Sequence, residues 1–183
     1  MSFTDDFDMA PPLSAFRGAI PGRTPPVVNH PDCGRMETFD DIRAWVANVS
    51  AAPIARSQMP WSVAQTIDHL AQTVEMSVRG YPLHRSRAFK RTLGAATFAI
   101  LKVRGVMRSH DLTEPVPGAS RFSPSLAVHG ACRRLLAALE LFELSPDPLQ
   151  EHFIYGRLTR DEYIVAHCLH VQAHARVIQL VAA

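Results

Sequence analysis

The sequence predicts an all-α protein, a four-helix bundle with an additional helix and a Pro-rich N-terminal arm. Three observations lead there. Apolar residues recur at helical spacing in successive long stretches after residue 37. Ser or Thr stands at the start of several of them, as helix caps require: Thr38, Ser62 and Thr159. No alternating strand pattern, Gly-rich phosphate loop or internal repeat is found.

With 183 residues, the chain fits one domain with a tail and can bury a substantial core. Its formal net charge of +2 comes from scattered arginines. No basic helix face is interleaved with aromatics, which excludes a nucleic-acid binder. The three cysteines, Cys33, Cys132 and Cys168, have no paired spacing and suit reduced thiols rather than a disulfide framework. The start, MSFTDDFDMAPP, is acidic and lacks the apolar stretch of a secretory signal. The most apolar run, Leu93 to Val103, is too short to span a bilayer and contains Lys102. The expected protein is therefore cytoplasmic, with no membrane partner.

Residues 1–37 form the first region, an irregular arm punctuated by Pro11, Pro12, Pro21, Pro25, Pro26 and Pro31. His30 and Cys33 are potential soft ligands, but a lone pair in such an arm suits bystanders better. Residues 38–183 form the bundle domain. Its first helix runs from Thr38 to Val49, capped by Thr38 and favoured by Asp40 and Asp41 in its first turn. The second, Ser62 to Gly80, opens on a Ser62/Gln65 capping box and closes on a glycine cap. Val63, Ile67, Leu70, Val74 and Val78 make its core stripe. His69 lies on another face with Gln65, Gln72, Thr73 and Met76, a face that suits either a pocket wall or solvent.

A third helix is expected within Arg87 to Met107, weakened by Gly94 and Gly105. A crossover loop, Ser109 to Phe122, follows. Ser123-Pro124 then starts a helix running to about Leu144, burying Leu126, Leu135, Leu136, Leu139 and Phe142. The loop Gln150 to Leu158 leads into a final helix, Thr159 to Leu180, opened by a Thr159/Glu162 capping box.

That last helix carries the chemistry. His170 and His174 stand one turn apart on one face, with His167 and Tyr163 on the same stripe. Imidazoles so spaced can share a metal ion. The spacing equally suits hydrogen-bonded core histidines, and two histidines do not complete a site.

The arrangement of His69 in WSVAQTIDHLAQ with His170 and His174 in the closing helix resembles the DinB/YfiT-like metalloprotein superfamily. The motif W-S-x-A-Q-x-x-x-H-L-A-Q, the following Gly80-Tyr81-Pro82, L-G-A-A at 93–96, E-P-V-P-G at 114–118 and G-x-L-T-x-x-E-Y resemble one branch of it, a domain of unknown function. The likeness covers roughly residues 38 to 180. It implies a four-helix bundle in which His69, His170 and His174 bind a divalent metal, Zn2+ or Ni2+. It also implies that His167 lies near the site without ligating, that a homodimer forms, and that a low-molecular-weight thiol can be the small-molecule substrate.

Three imidazoles leave a coordination position open, the mark of a catalytic rather than a structural site. A metal there can lower the pKa of a water to about 7 or hold a substrate thiolate. Tyr163 and His167 are the candidates for proton transfer or substrate orientation, in a pocket also lined by Gln72 and Met76. Asp68 or Glu162 would orient a ligand imidazole from behind. Glu75 points elsewhere, about 240° around the helix from His69. Cys168, off the stripe, suits a small buried apolar residue. The reading is a metal-dependent thiol-S-transferase or hydrolase. The alternatives are a non-catalytic or stress-associated protein in which metal braces the bundle, with His167 as a fourth ligand, and an interaction module whose arm wraps a partner.

Overall fold

The computed structural model describes residues 27–28, 34–107, 112–123 and 125–181. Its elements in chain order are β1 (Val27–Val28), α1 (Phe39–Ala51), β2 (Ile54–Ser57), α2 (Val63–Arg79), α3 (Arg87–Phe89), a π-helical segment (Lys90–Gly94), α4 (Ala95–Arg104), α5 (Val128–Leu144), α6 (Arg160–Ala175) and β3 (Ile178–Val181). The protein is mostly helical.

The helix starts follow the local sequence. The Thr38 hydroxyl accepts from the Asp41 amide at 3.2 Å, while the Asp41 carboxylate accepts from the Thr38 amide at 2.8 Å. Ser62/Gln65 and Thr159/Glu162 form the same reciprocal cap on α2 and α6. Gly80 ends α2 with φ +103°, a conformation that disfavours a side chain. α5 departs from expectation: it starts at Val128 from Ala127, without a side-chain cap. Ser123 lies ahead of it, and Pro124 is outside the described residues, as are His30 and Cys33. Leu136 is 37% exposed rather than buried, because the face of α5 carrying Leu135, Leu139 and Phe142 is the one turned inward.

The four long helices pack in a closed ring. α2 lies against α5 and α6, and α1 lies against the same two. The core between them is built from Ile42, Val46, Ile67, Leu70, Val74, Leu135, Leu139 and Phe142. The α3–α4 segment runs alongside. The Lys102 ammonium meets the Glu162 carboxylate at 2.9 Å, and the Phe98 ring stacks on Tyr155 at 5.2 Å. At Gly94 the backbone passes so close to the Ile154 carbonyl that a Cβ would overlap it.

The all-α expectation needs correction in one place. β1, β3 and β2 form a small antiparallel sheet with β3 in the middle. Ile54 to Ser57 pair with Val181 to Ile178, and Val27 and Val28 pair with Val181 and Leu180. The last helix therefore stops at Ala175, not Leu180. Val177, Ile178 and Val181 are β-branched residues, which favour a pleated strand when backbone partners are available. Part of the expected irregular arm is thus ordered as β1. Met36 is also buried, and its amide donates to Gln172 Oε1 at 3.0 Å.

Candidate metal centre

The capping boxes fix where two helices begin, and so which residues meet where α2 crosses α6. His69 comes from the middle of α2, and His170 and His174 from the last turns of α6. His69 Nε2 lies 3.3 Å from His170 Nε2, which lies 3.1 Å from His174 Nε2. One ligand nitrogen from each ring lies within 4.8 Å of the other two. Two nitrogens bonded to zinc at about 2.0–2.1 Å in tetrahedral geometry are themselves about 3.3–3.4 Å apart. The donor set therefore fits a divalent ion, and no other such group occurs among the described residues.

His69 and His174 are buried and His170 half-buried. The Thr73 hydroxyl donates to the Leu70 carbonyl at 2.8 Å. Its oxygen is thus an acceptor for His170 Nδ1, 3.5 Å away. A proton on Nδ1 leaves the Nε2 lone pair for a metal. Thr73, rather than Asp68 or Glu162, is thus the hydroxyl or carboxylate residue that stands beside His170. Both Asp68 oxygens are engaged elsewhere, one with Arg134 at 2.7 Å and the other with Gln72 at 2.9 Å. Glu162 serves the α6 cap and Lys102. Glu75, as expected, points away from the cluster: Arg134 grips its carboxylate with two bonds of 2.9 Å.

A cavity of about 360 Å³ has His69 and His170 in its wall. Its remaining lining is largely apolar and aromatic, including Tyr81, Phe89, Leu101, Val116, Phe153 and Tyr155. Of the four residues expected to line it, only His167 does so; Tyr163, Gln72 and Met76 are not among its lining residues. The walls come instead from the loops around Val116 and His152, both distant in sequence from the histidine motifs. No helical spacing or motif in the sequence marks His152. The only local signal was its place in an aromatic cluster, His152, Phe153 and Tyr155, ahead of Gly156.

Tyr163 is fully buried, and its hydroxyl donates to the Gln150 carbonyl at 2.6 Å. Burial raises its pKa above the ordinary phenol range. The ring stacks on His167 at 5.6 Å. The Ser77 hydroxyl donates to the Val74 carbonyl at 2.6 Å and lies 3.3 Å from His167 Nε2, so that nitrogen carries the proton. Burial pushes the His167 pKa down to about 3. His167 is outside the three-histidine cluster, which removes it as the fourth ligand of the bracing alternative. Cys168 is buried in the core and its thiol is pushed up to about 12, chiefly by burial. That is an inert packing cysteine.

No described helix is long and apolar enough to cross a membrane. Residues 32–180 match the model of a family described as protein of unknown function (DUF1569), and the chain belongs to that family. No curated protein and no solved structure matches the chain.

Proposed function

We propose that this DUF1569 family member holds zinc or nickel on His69, His170 and His174 and is a metal-dependent enzyme, a thiol-S-transferase or hydrolase acting on a small molecule. One observation carries the reading: three imidazole nitrogens from two helices converge in a cluster with two of its rings in a cavity wall. A donor set of three leaves a position for substrate, and the cavity gives access to it. A bound divalent ion supplies Lewis acidity, which activates a thiol or a water near neutral pH.

The chain supplies the rest. α2 and α6 fix the donor atoms, and Thr73 sets the His170 tautomer. The aromatic walls exclude water and favour an apolar substrate body. His167 and Tyr163 hold positioning roles in this reading. His167 faces the cavity, and Tyr163 acts through it by stacking, since its own hydroxyl is committed. The closed ring of α1, α5, α2 and α6 supports a DinB-like four-helix bundle. A homodimer and a cytoplasmic location are part of the same proposal.

The test is elemental mass spectrometry on protein purified without an affinity metal column. About one equivalent of zinc or nickel is expected in the parent and at least a tenfold loss in His170→Ala. Thiol transfer and ester or amide hydrolysis are then assayed on the loaded protein. Absence of metal from the parent, even after reconstitution, overturns the reading.

A further inference from the structure

His152 sits on a tight loop between α5 and α6, closed by reciprocal backbone bonds with Gly156 of 2.9 and 3.2 Å. The residue is only 9% exposed. Nδ1 accepts two backbone N–H groups, from Ile154 and Tyr155, both at 3.1 Å. A nitrogen that accepts cannot also carry the proton, so the single proton of the neutral ring is on Nε2. The ring lies flat on Tyr155, at 4.4 Å and 9°, with Phe153 at 4.8 Å and Tyr81 at 5.1 Å. The two backbone bonds to Nδ1 favour the orientation that turns this edge of the ring to the loop.

His152 lines the same cavity as His69 and His170. With the Nδ1 edge turned to the loop backbone, the Nε2 edge is left for the cavity. Nε2 makes no hydrogen bond among the described residues. Nε2 is not sealed from solvent, and an acceptor on a ligand in the cavity can take the place of water there.

We infer that His152 is a substrate-positioning donor, and that the substrate carries an acceptor oxygen, of carbonyl or carboxylate type, besides the group that meets the metal. The inference rests on the metal-site reading above. Burial, and then the nearby His167, His84 and Lys90, hold the His152 pKa at about 3. The ring thus stays a neutral donor across the working pH range. It recognises acceptors and rejects ammonium groups, which have no lone pair to offer.

The test compares the effect of the substitution on two thiols: thioglycolate, which carries a carboxylate, and ethanethiol, which does not. Each is titrated into Co2+-loaded full-length protein and followed by the visible cobalt spectrum. In His152→Asn the amide oxygen replaces Nδ1 on the loop, but nothing replaces the Nε2 donor. This variant is expected to bind thioglycolate about three- to tenfold more weakly and ethanethiol unchanged.

Equal losses for both thiols, or for neither, overturn the role of His152 while leaving the metal site standing. Failure of the parent to take up cobalt is a different signature, and it removes the metal reading and this inference together. A separate arm needs no variant: ¹⁵N NMR of the histidine rings is expected to show His152 protonated on Nε2, and protonation on Nδ1 overturns the assignment.

Discussion

His152 and His167 are neutral rings buried by the fold, each held at a pKa of about 3 against an ordinary 6.5. Unfolding restores the ordinary value, so below pH 6.5 the unfolded chain binds protons that the folded one refuses. Stability is therefore fully present above about pH 6.5 and falls as the pH drops toward 3. The slope reaches about 1.4 kcal/mol per pH unit for each ring. Urea midpoints of metal-free protein are expected to be flat from pH 7 to 8 and to drop below pH 6. His167→Phe, which keeps the aromatic packing on Phe142 and Tyr163, is expected to shrink that drop. At this scale the His170/His174 pair is legible because helical spacing is a local rule, while His69 joins it only through the family resemblance. Thr73 was visible only as a neighbour on the His69 face, since its orienting contact depends on how α6 sits across α2. Asp68 is the converse case: adjacency to His69 suggests a partner, but helix geometry turns consecutive residues about 100° apart.

Among the elements, the clearest sequence signals were the caps of α1, α2 and α6, each written in four consecutive residues. The α6 end is ambiguous in sequence because Val177, Ile178 and Val181 suit a helical stripe and a strand equally well. What decides between them is β2, a strand of four residues too short to announce itself. The π-helical segment is a second feature with no sequence signature. It ends at Gly94, against the Ile154 carbonyl of the His152 loop. Gly94→Ala is expected to cost about 1–3 kcal/mol in urea denaturation, since backbone cannot yield as a side chain would. Because the same loop walls the cavity, the variant is also expected to weaken thioglycolate binding. An unchanged stability would show that α4 is free to shift.

Across the whole molecule, the ring of helices is tied by a charged cluster at its edge. Arg134 of α5 reaches Asp68 and Glu75, one and the same face of α2. The Asp68 side chain is only 6% exposed, so removing the guanidinium strands a carboxylate with Gln72 alone. Arg134→Met is expected to lose about 2–3 kcal/mol, less than a fully buried pair because the arginine is itself 38% exposed. Calorimetry checks it, and a change under 0.5 kcal/mol would mean that Gln72 and water suffice for Asp68. The bundle was legible from periodicity. Its cavity was not, because walls assembled from the Val116 and His152 loops exist only once distant segments meet.

β3 pairs on one side with β2 and on the other with β1, and Val27 lies opposite Val181. Paired strands run about 4.8 Å apart, so the two ends of the described chain are neighbours. A short linker from 181 to 27 would close the backbone into a circle without disturbing the sheet. The polypeptide could then be opened at the crossover between α4 and α5. Such a circular permutant would keep His69, His170 and His174 in their helices while reversing the order in which those helices are made.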